Sequence, residues 1–242
     1  MSLLGAVPRP ASLTESAYEK IRGAILDGEV APGERLSVVA VSQGLDMSRS
    51  PVRAAMERIA SEGLLEDRGN GFVVADLTPD ALFDAMEVRE LLEGRAAELA
   101  APRFSQSARK DLAEIYDQFV VAYEGSDARS AMRADLAFHQ AIQSQCGNHA
   151  LIEHLDRVQS RIMVVTYSKA WSMHSQGEGV PEHAAILAAI RLGDPLLARI
   201  AATSHVHTAK ERLKVLWTAK QNAAADEPTQ TEGDGIDSAQ LA

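Results

Sequence analysis

The spacing of apolar residues changes at Thr78-Pro79, and this change divides the chain into two parts with different architectures. Before it, three short helical segments and two extended segments fit between residues 13 and 76. After it, helical spacing continues without an extended segment as far as a polar C-terminal stretch. A chain of 242 residues is long enough for two domains, each with a buried core. The sequence therefore predicts a mostly α protein of two domains.

The first part has the element order of a winged helix-turn-helix. Apolar residues at helical spacing predict three helices, over residues 13–28, 38–45 and 48–63. Ser48 is a favourable N-cap for the third helix, and Pro51 falls in its first turn, where a missing N–H removes no hydrogen bond. Two extended segments then flank the turn Arg68-Gly69-Asn70-Gly71, which is typical of a β-hairpin. This order predicts a winged helix-turn-helix DNA-binding domain over residues 10–76.

The second part reads as helices throughout. Helical spacing predicts six of them, over residues 79–101, 106–124, 127–146, 149–172, 181–192 and 195–219. Glycine, proline and asparagine mark short links, so consecutive helices are expected to run antiparallel in an all-α six-helix bundle over residues 77–220. Residues 221–242 hold five acidic and no basic residues with few large apolar ones, which predicts a disordered acidic tail.

Composition excludes several classes of protein. The apolar stretches are shorter than the roughly 18 residues that a membrane span needs, and the N-terminus lacks the basic region of a secretory signal. Cys146 is the only cysteine, so no internal disulfide is expected and a reducing cytoplasm is the predicted location. The net charge of −10 does not exclude DNA as a partner, because half of the excess lies in the tail.

Basic and hydroxyl side chains gather at the start of the third helix, the end that contacts base edges in helix-turn-helix proteins. Arg49 and Arg53 are four residues apart and share a face, and an arginine can pair with guanine or with phosphate. Ser48 and Ser50 can bind phosphate, and Arg68 lies in the turn that would form the wing. The alternative is that these arginines are ordinary surface residues of an amphipathic helix.

Four residues of the bundle have the chemistry of metal ligands. Asp135 and His139 are four apart and share a helix face. His183 and His205 lie at similar distances on either side of the Gly193–Pro195 turn, so antiparallel helices meeting there would bring the two imidazoles abreast. The sequence thus allows one carboxylate and three imidazoles to converge. By spacing alone, an exposed polar pair of Asp135 and His139 remains the alternative.

This donor set favours a divalent transition metal. One carboxylate and three neutral imidazoles suit Zn²⁺, Ni²⁺ or Mn²⁺ better than Ca²⁺ or Mg²⁺, which prefer oxygen ligands. A dication with one anionic ligand keeps a positive charge and open positions, and would attract a small carboxylate. Arg89 in the first bundle helix and Arg161 in the fourth could clamp that carboxylate. No residue is placed as an evident general base, so we predict no catalytic residue and no enzyme.

The segment GERLSVVAVSQGLDMSRSPVRAAMERIASEGLLEDRGNGFVV resembles the DNA-binding domain of GntR-family bacterial regulators, which share PG-x-x-L, SR-x-PVR and a G-x-x-V wing. The chain departs from the family pattern in its second helix and in the turn that follows, at Val38, Val41-Ser42 and Asp46. The resemblance implies that Arg49 and Arg53 read bases and phosphates.

The segments VRELLEGRAAELAA, DLAFHQAIQSQCGN and EHAAILAAIRLGDPLLARIAATSH resemble the FCD effector-binding domain of the FadR-type subgroup, over approximately residues 80–218. The resemblance implies a metal site at the floor of a ligand cavity, and its four ligands match Asp135, His139, His183 and His205. Arg89 matches a position that often faces the cavity, and Arg161 matches less closely.

Together these features predict a homodimeric, ligand-responsive transcription factor on a pseudo-palindromic operator. A small organic acid at the metal would change operator affinity, and the family resemblance favours a repressor. Two alternatives stay open at this stage. One is a metal-dependent enzyme, because a metal with open positions can activate water. The other is a metal sensor in which the ion alone is the signal.

Overall fold

The computed structural model describes residues 12–125, 128–167 and 179–226. The N-terminal elements are α1 (Leu13–Leu26), β1 (Arg35–Leu36), α2 (Val38–Gly44), α3 (Arg49–Ser61), β2 (Leu65–Asp67) and β3 (Phe72–Val74). The C-terminal elements are α4 (Pro79–Ala100), a short 3-10 turn (Ala101–Arg103), α5 (Gln106–Glu124), α6 (Ala128–Ser144), α7 (His149–Tyr167), α8 (Gly179–Leu192) and α9 (Pro195–Asp226). The predicted fold class, a winged helix-turn-helix followed by a helical bundle, is confirmed.

The N-terminal domain packs its three helices on a small antiparallel sheet. The strand order is β1-β3-β2, with Leu36 paired to Phe72 and Glu66 paired to Val73. Phe72 lies in a core with residues of all three helices, including Val52 and Ile59. The sequence analysis missed β1, because a strand of two residues is too short to show alternation of apolar and polar side chains.

The turn between α2 and α3 places the start of α3 on the surface. Asp46 adopts a left-handed backbone with φ of 51°, a conformation that aspartate tolerates better than most residues. Ser48 occupies the N-cap position of α3, but its side chain forms no capping hydrogen bond. Ser37, by contrast, caps α2 through its hydroxyl oxygen, which accepts from the Ala40 N–H at 3.0 Å.

Helix α4 lies at the centre of the bundle, in contact with α6, α7 and α9. Helices α4 and α9 run antiparallel, since Glu98 pairs with Arg199 near one end and Glu87 with Lys210 near the other. Gly94 marks their closest approach, because a Cβ at that position would lie far inside van der Waals contact of the Thr203 hydroxyl. The small residue is therefore needed for these helices to pack closely.

Helix α7 also packs against the N-terminal domain. Val164 belongs to the apolar core of that domain, together with residues of α1 and α3. Arg22 of α1 donates a hydrogen bond from Nη2 to Ser160 Oγ at 3.0 Å. A second link joins Arg133 of α6 to both carboxylate oxygens of Asp27, at 3.1 and 2.6 Å. The bundle therefore holds the N-terminal domain by apolar and ionic contacts.

The ends of two helices of the bundle differ clearly from the sequence prediction. Helix α9 continues to Asp226, so residues 221–226 are helical rather than part of the tail. Their alanine-rich sequence favours helix, which explains the extension. Helix α8 begins at Gly179, two residues earlier than predicted. The predicted end of the preceding helix at 172 and the rest of the tail lie outside the described residues.

Within the described part of the chain, none of the helices combines the length and apolarity needed to cross a membrane.

Candidate metal centre

Asp135, His139, His183 and His205 converge from α6, α8 and α9. Each contributes one possible ligand atom, and these atoms all lie within 4.8 Å of one another. The three imidazoles are buried, and Asp135 remains partly exposed. The structure thus brings together the four residues that the sequence selected, at a spacing that a single cation can bridge.

Each imidazole is held through Nδ1, which leaves Nε2 available to the cluster. The three Nδ1 contacts are His139 with Glu93 Oε2 at 2.7 Å, His183 with the Gly179 carbonyl at 2.8 Å, and His205 with Glu182 Oε2 at 2.9 Å. When Nδ1 donates to an oxygen, the proton is fixed there and Nε2 carries the lone pair. The surroundings therefore prepare three Nε2 atoms as ligands.

Two of these Nε2 atoms are buried without a conventional partner. Nε2 of His139 and of His183 has no hydrogen-bond partner in the part of the chain that the structure describes. Asp135 Oδ1 lies 2.9 Å from His183 Nε2 and 3.7 Å from His139 Nε2. An unsatisfied buried polar atom costs about 1–3 kcal/mol. A cation among these atoms would remove that cost, so the residues fit a metal.

The charges in the cluster suit ligation at neutral pH. Burial by itself would raise the pKa of Asp135, but His139 and His183 outweigh it and hold that pKa well below its usual range. Burial, helped by the neighbouring imidazoles, lowers the pKa of His205 to about 4. A metal needs the carboxylate ionised and the imidazole neutral, and the pKa shifts of Asp135 and His205 both run in that direction. The pKa of His183 is raised instead, against the effect of its burial, mainly by its interaction with Asp135.

The sequence analysis missed Glu93, which is fully buried beside the cluster. Glu93 accepts hydrogen bonds from Arg89 Nε at 2.6 Å and from Gln159 Nε2 at 3.1 Å, in addition to the contact with His139. Burial would raise the pKa of Glu93, but Arg89 and His139 reverse the effect and keep the pKa well below its usual range. Its spacing of four residues from Arg89 is the signal that would have indicated it.

Arg89 lies next to the cluster, as the sequence predicted, but its guanidinium is engaged by Glu93. Arg161 does not lie beside the cluster. The aliphatic part of Arg161 packs over Gly63, close enough that a Cβ there would lie 3.1 Å from Arg161 Cδ. Because Gln159 faces the cluster, a side chain two residues later on α7 points about 200° away around the helix. The structure therefore does not bring Arg161 to the cluster beside Arg89, and effector binding by Arg89 stays a prediction.

Glu182 is a second carboxylate that the sequence analysis did not single out. It receives two hydrogen bonds from Arg212, at 2.6 and 3.0 Å, besides the one that holds His205. Its place next to His183 in the chain gave no indication of this role, because Glu182 serves the imidazole of a different helix.

The residues predicted to contact DNA lie on the surface around the start of α3. Ser48, Arg49, Ser50 and Arg53 are exposed, and a shallow pocket between α2 and α3 includes Ser48 and Arg49. Arg53 lies 3.7 Å from Glu57 in an exposed ion pair, which has little strength.

Arg68 is exposed in the β2–β3 turn and pairs with Glu66.

Arg58, the third arginine of α3 after Arg49 and Arg53, has a structural role instead. It stacks over the Tyr18 ring at 3.6 Å and pairs with Glu15 at 2.8 Å. The exposed positions fit DNA contacts, which remain a prediction.

Comparisons with known families match both parts of the chain. Residues 13–74 match the bacterial regulatory proteins of the gntR family, and residues 84–208 match the FCD domain. These matches cover the winged domain and most of the helical bundle, including all four residues of the cluster.

Individual relatives are regulators of transcription. The chain is 29% identical to the "Probable D-xylose utilization operon transcriptional repressor" of Paenarthrobacter nicotinovorans, over 75% of this chain and 80% of that protein. It is 27% identical to the Glc operon transcriptional activator of Escherichia coli K12, over 83% of this chain and 89% of that protein. The solved structure of E. coli McbR/YncC has a TM-score of 0.75 at 21% identity, covers 87% of this chain and 100% of its own, and supports the fold.

Glu182 leads to a prediction about acid stability. Burial would raise its pKa, but hydrogen bonds from His205 and Arg212 outweigh burial and hold the pKa at about 2, against 4.5 for an ordinary glutamate. Such a carboxylate stabilises the fold above its unfolded pKa and loses that contribution as the pH falls towards its folded pKa. We therefore expect the free energy of urea unfolding of metal-free protein to fall as the pH is lowered from about 4.5 to about 2, because this carboxylate takes up a proton over that range.

Glu182→Gln should flatten this part of the stability profile, measured by urea unfolding at a series of pH values. Glu153→Gln, on an exposed position of α7, is the control and should leave the profile unchanged. A Glu182→Gln profile with the same slope as that of the wild-type protein would contradict the assignment.

Proposed function

The chain belongs to the GntR family of bacterial regulatory proteins, with an FCD domain behind its DNA-binding domain, and we propose that its operator affinity responds to a small carboxylate bound at a divalent metal. It is a transcriptional regulator and not an enzyme, since its relatives and fold neighbours regulate transcription. This sets aside the metal-dependent enzyme that the sequence alone left open.

The observation that carries the metal proposal is the arrangement of the histidines. Three buried imidazoles, each with Nδ1 held by an oxygen, and the carboxylate of Asp135 each offer one possible ligand atom, and these atoms lie within 4.8 Å of one another. Zn²⁺, Ni²⁺ and Mn²⁺ all accept this donor set. The bound ion would accept the Nε2 lone pairs of His139 and His183. It would also link α6, α8 and α9, which carry the ligands.

A small carboxylate is the proposed effector. A divalent ion with one anionic ligand retains a positive charge, so it would attract an anion to its remaining positions. Arg89, beside the cluster, adds positive charge, and its pairing with Glu93 keeps it in place. Arg161 has no part in this proposal.

The DNA partner is proposed to be a pseudo-palindromic operator bound by a homodimer. Arg49 at the start of α3 would read base edges, and Arg53, Ser48, Ser50 and Arg68 would contact the backbone. We propose a repressor. One relative is named as a repressor and another as an activator, so the direction of the response has to be measured.

Helix α7 supports communication between the metal centre and the DNA-binding domain. Gln159 donates to Glu93, which holds a ligand histidine, and also accepts from Gln143 Nε2 at 3.1 Å. The next residue, Ser160, accepts from Arg22 of the DNA-binding domain. Adjacent residues of one helix thus contact both sites, so a shift of Glu93 would reach α1 through a single rigid element.

The first prediction from this proposal concerns the metal. Purified protein supplied with Zn²⁺, Ni²⁺ or Mn²⁺ should hold about one ion, and saturation at a hundredfold excess over Kd should stabilise it by about 2.7 kcal/mol. His183→Ala should lose the ion, because it removes one of the three Nε2 ligands. Elemental analysis and thermal unfolding measure both effects. His154→Ala, an exposed histidine of α7, is the control. A His183→Ala protein that retains a full equivalent would contradict the site.

The second prediction concerns DNA. With operators selected from a random duplex library, Arg49→Ala should reduce discrimination between matched and mismatched sites by about 1–3 kcal/mol, because it removes a base contact. Arg53→Ala should weaken binding to all sequences and lower the salt slope by about one. Lys110→Ala, exposed on α5, should change neither. Unchanged discrimination by Arg49→Ala would refute its role.

The third prediction concerns communication along α7. The acid that stabilises metal-loaded protein most, chosen from sugar acids, hydroxy acids and dicarboxylates, should change operator affinity about 5- to 150-fold. Gln159→Met removes the hydrogen bonds and keeps the size of the side chain, so it should retain metal and DNA binding but reduce that factor towards one. Gln118→Met, exposed on α5, is the control. A full response in Gln159→Met would contradict this route.

Titrating the metal and the acid separately against operator affinity distinguishes the proposed response to a carboxylate from the remaining alternative, a metal sensor. If the metal alone, without any acid, produces the full change in operator affinity, the protein is a metal sensor. If the metal leaves affinity nearly unchanged until the acid is added, the carboxylate is the signal.

A further inference from the structure

Two arginines stand close to the metal centre, and each is already paired with a carboxylate. Arg89 Nε donates to Glu93 Oε1 at 2.6 Å. Arg212 donates two hydrogen bonds to Glu182, from Nη1 at 2.6 Å and from Nη2 at 3.0 Å. Both arginines are largely buried, with 12% and 19% of their side chains exposed. Each pair is therefore electrically neutral as a unit.

The two carboxylates cannot easily release these arginines. Glu93 also holds Nδ1 of His139 at 2.7 Å, and Glu182 holds Nδ1 of His205 at 2.9 Å. Turning either carboxylate away would disturb a histidine of the centre and leave a partly buried charge without its partner, which is costly. Arg89 has further N–H donors with which to orient a ligand, but its charge is balanced by Glu93.

The centre as a whole would carry a single positive charge when a metal is bound. Asp135 is the one carboxylate among the four residues of the cluster. Because the two arginine pairs are neutral, a divalent ion beside Asp135 leaves one positive charge. Lys210, a buried base of α9, does not change this balance, since it pairs with both Glu87 and Glu90. The described residues therefore give the centre the charge to neutralise one carboxylate and no more.

Another side of the cluster is aromatic. The ring centre of Phe119 lies 4.3 Å from that of His183, and the ring centre of Phe138 lies 5.0 Å from it. Tyr116 lies against both phenylalanines, with its ring centre 6.5 and 6.3 Å from theirs. These rings are uncharged, so this side supplies no cation for a second carboxylate and suits an uncharged part of a ligand.

We propose that the centre selects an acid with one negative charge, a monocarboxylate whose remainder is uncharged, over the dicarboxylate of the same size. This selectivity rests on the proposed function, which supplies the divalent ion and the carboxylate effector. The first carboxylate of a ligand would neutralise the centre, and a second would stand in a partly buried site without a cation to pair with. Discrimination that leaves an unwanted charge unpaired is a recognised source of specificity.

The first experiment measures this selectivity with matched pairs of acids on metal-loaded protein. Gluconate and glucarate share a six-carbon chain, and butyrate and succinate share a four-carbon chain, so only one end group differs within each pair. The acid that stabilises metal-loaded protein most is compared with its own counterpart in the same way. Calorimetric titration should give a dissociation constant at least about tenfold lower for the monocarboxylate, because the second carboxylate loses water without gaining a partner. Elemental analysis after each titration establishes that the ion is retained.

Glu182→Gln tests whether charge is the cause. The amide oxygen of glutamine can still accept from His205 Nδ1, but the pair with Arg212 loses its negative charge, so the centre gains one positive charge. The ratio of the two dissociation constants should shift about tenfold towards the dicarboxylate. Glu153→Gln is the matched control, because it removes the acid of another arginine pair, with Arg157 at 2.8 Å, at an exposed position of α7. This control should leave the ratio unchanged.

Glu93→Gln makes the equivalent change at Arg89 and is titrated in the same way. Elemental analysis shows which of the two glutamine variants keeps its ion, and a variant that keeps it should show the shift. An unchanged ratio in such a variant overturns charge balance as the cause of the selectivity. If neither variant keeps the ion, the ratio in the wild-type protein decides.

The wild-type titrations separate this selectivity from the proposed function. A monocarboxylate preference that shifts in the glutamine variants and not in Glu153→Gln supports the proposal. A dicarboxylate that binds as tightly as its monocarboxylate counterpart, or more tightly, overturns the proposal and leaves the carboxylate effector in place. Failure of every acid of both kinds to bind metal-loaded protein overturns the carboxylate effector of the proposed function, and the selectivity with it.

Discussion

The bundle depends on one constraint: Nδ1 of each imidazole in the centre is held by an oxygen atom. Three buried imidazoles and two carboxylates, Glu93 and Asp135, would be costly in an apolar interior if they lacked partners. The contacts with Glu93, Glu182 and the Gly179 carbonyl supply those partners and decide which nitrogen is available. The same contacts tie α4 to α6 and α8 to α9, so the geometry of the ligands and the packing of these helix pairs depend on the same bonds.

Two helices connect this centre to the rest of the molecule, and they do so through different faces. Helix α7 contacts Glu93 through Gln159 and the DNA-binding domain through Ser160 and Val164. Helix α4 presents Glu93 to the centre and turns Leu91 outwards. The centre is therefore linked to the N-terminal domain through α7 and to an exposed face of the bundle through α4.

The sequence predicted the helices, and the positions of the four converging residues, where the information lies within one helix or one turn. The pair Asp135 and His139 was visible from spacing, and the symmetric placement of His183 and His205 about a glycine-proline turn was visible from chain order. The predictions that failed required knowledge of a neighbouring helix. Glu93 belongs to the centre because α4 packs against α6. Arg161 lies outside the centre because its side chain packs over Gly63.

Sequence alone thus determined the winged helix-turn-helix and the helical bundle, because periodicity and turn chemistry are local properties of a chain. The choice of the four residues of the cluster rested on spacing together with the resemblance to the FCD domain. Tertiary structure alone decided which nitrogen each histidine presents, which arginine stands beside the centre, and which face of α4 remains exposed. Periodicity shows which residues share a face of a helix. Only the packing of one helix on another shows what that face meets, since that depends on contacts between residues far apart in the chain.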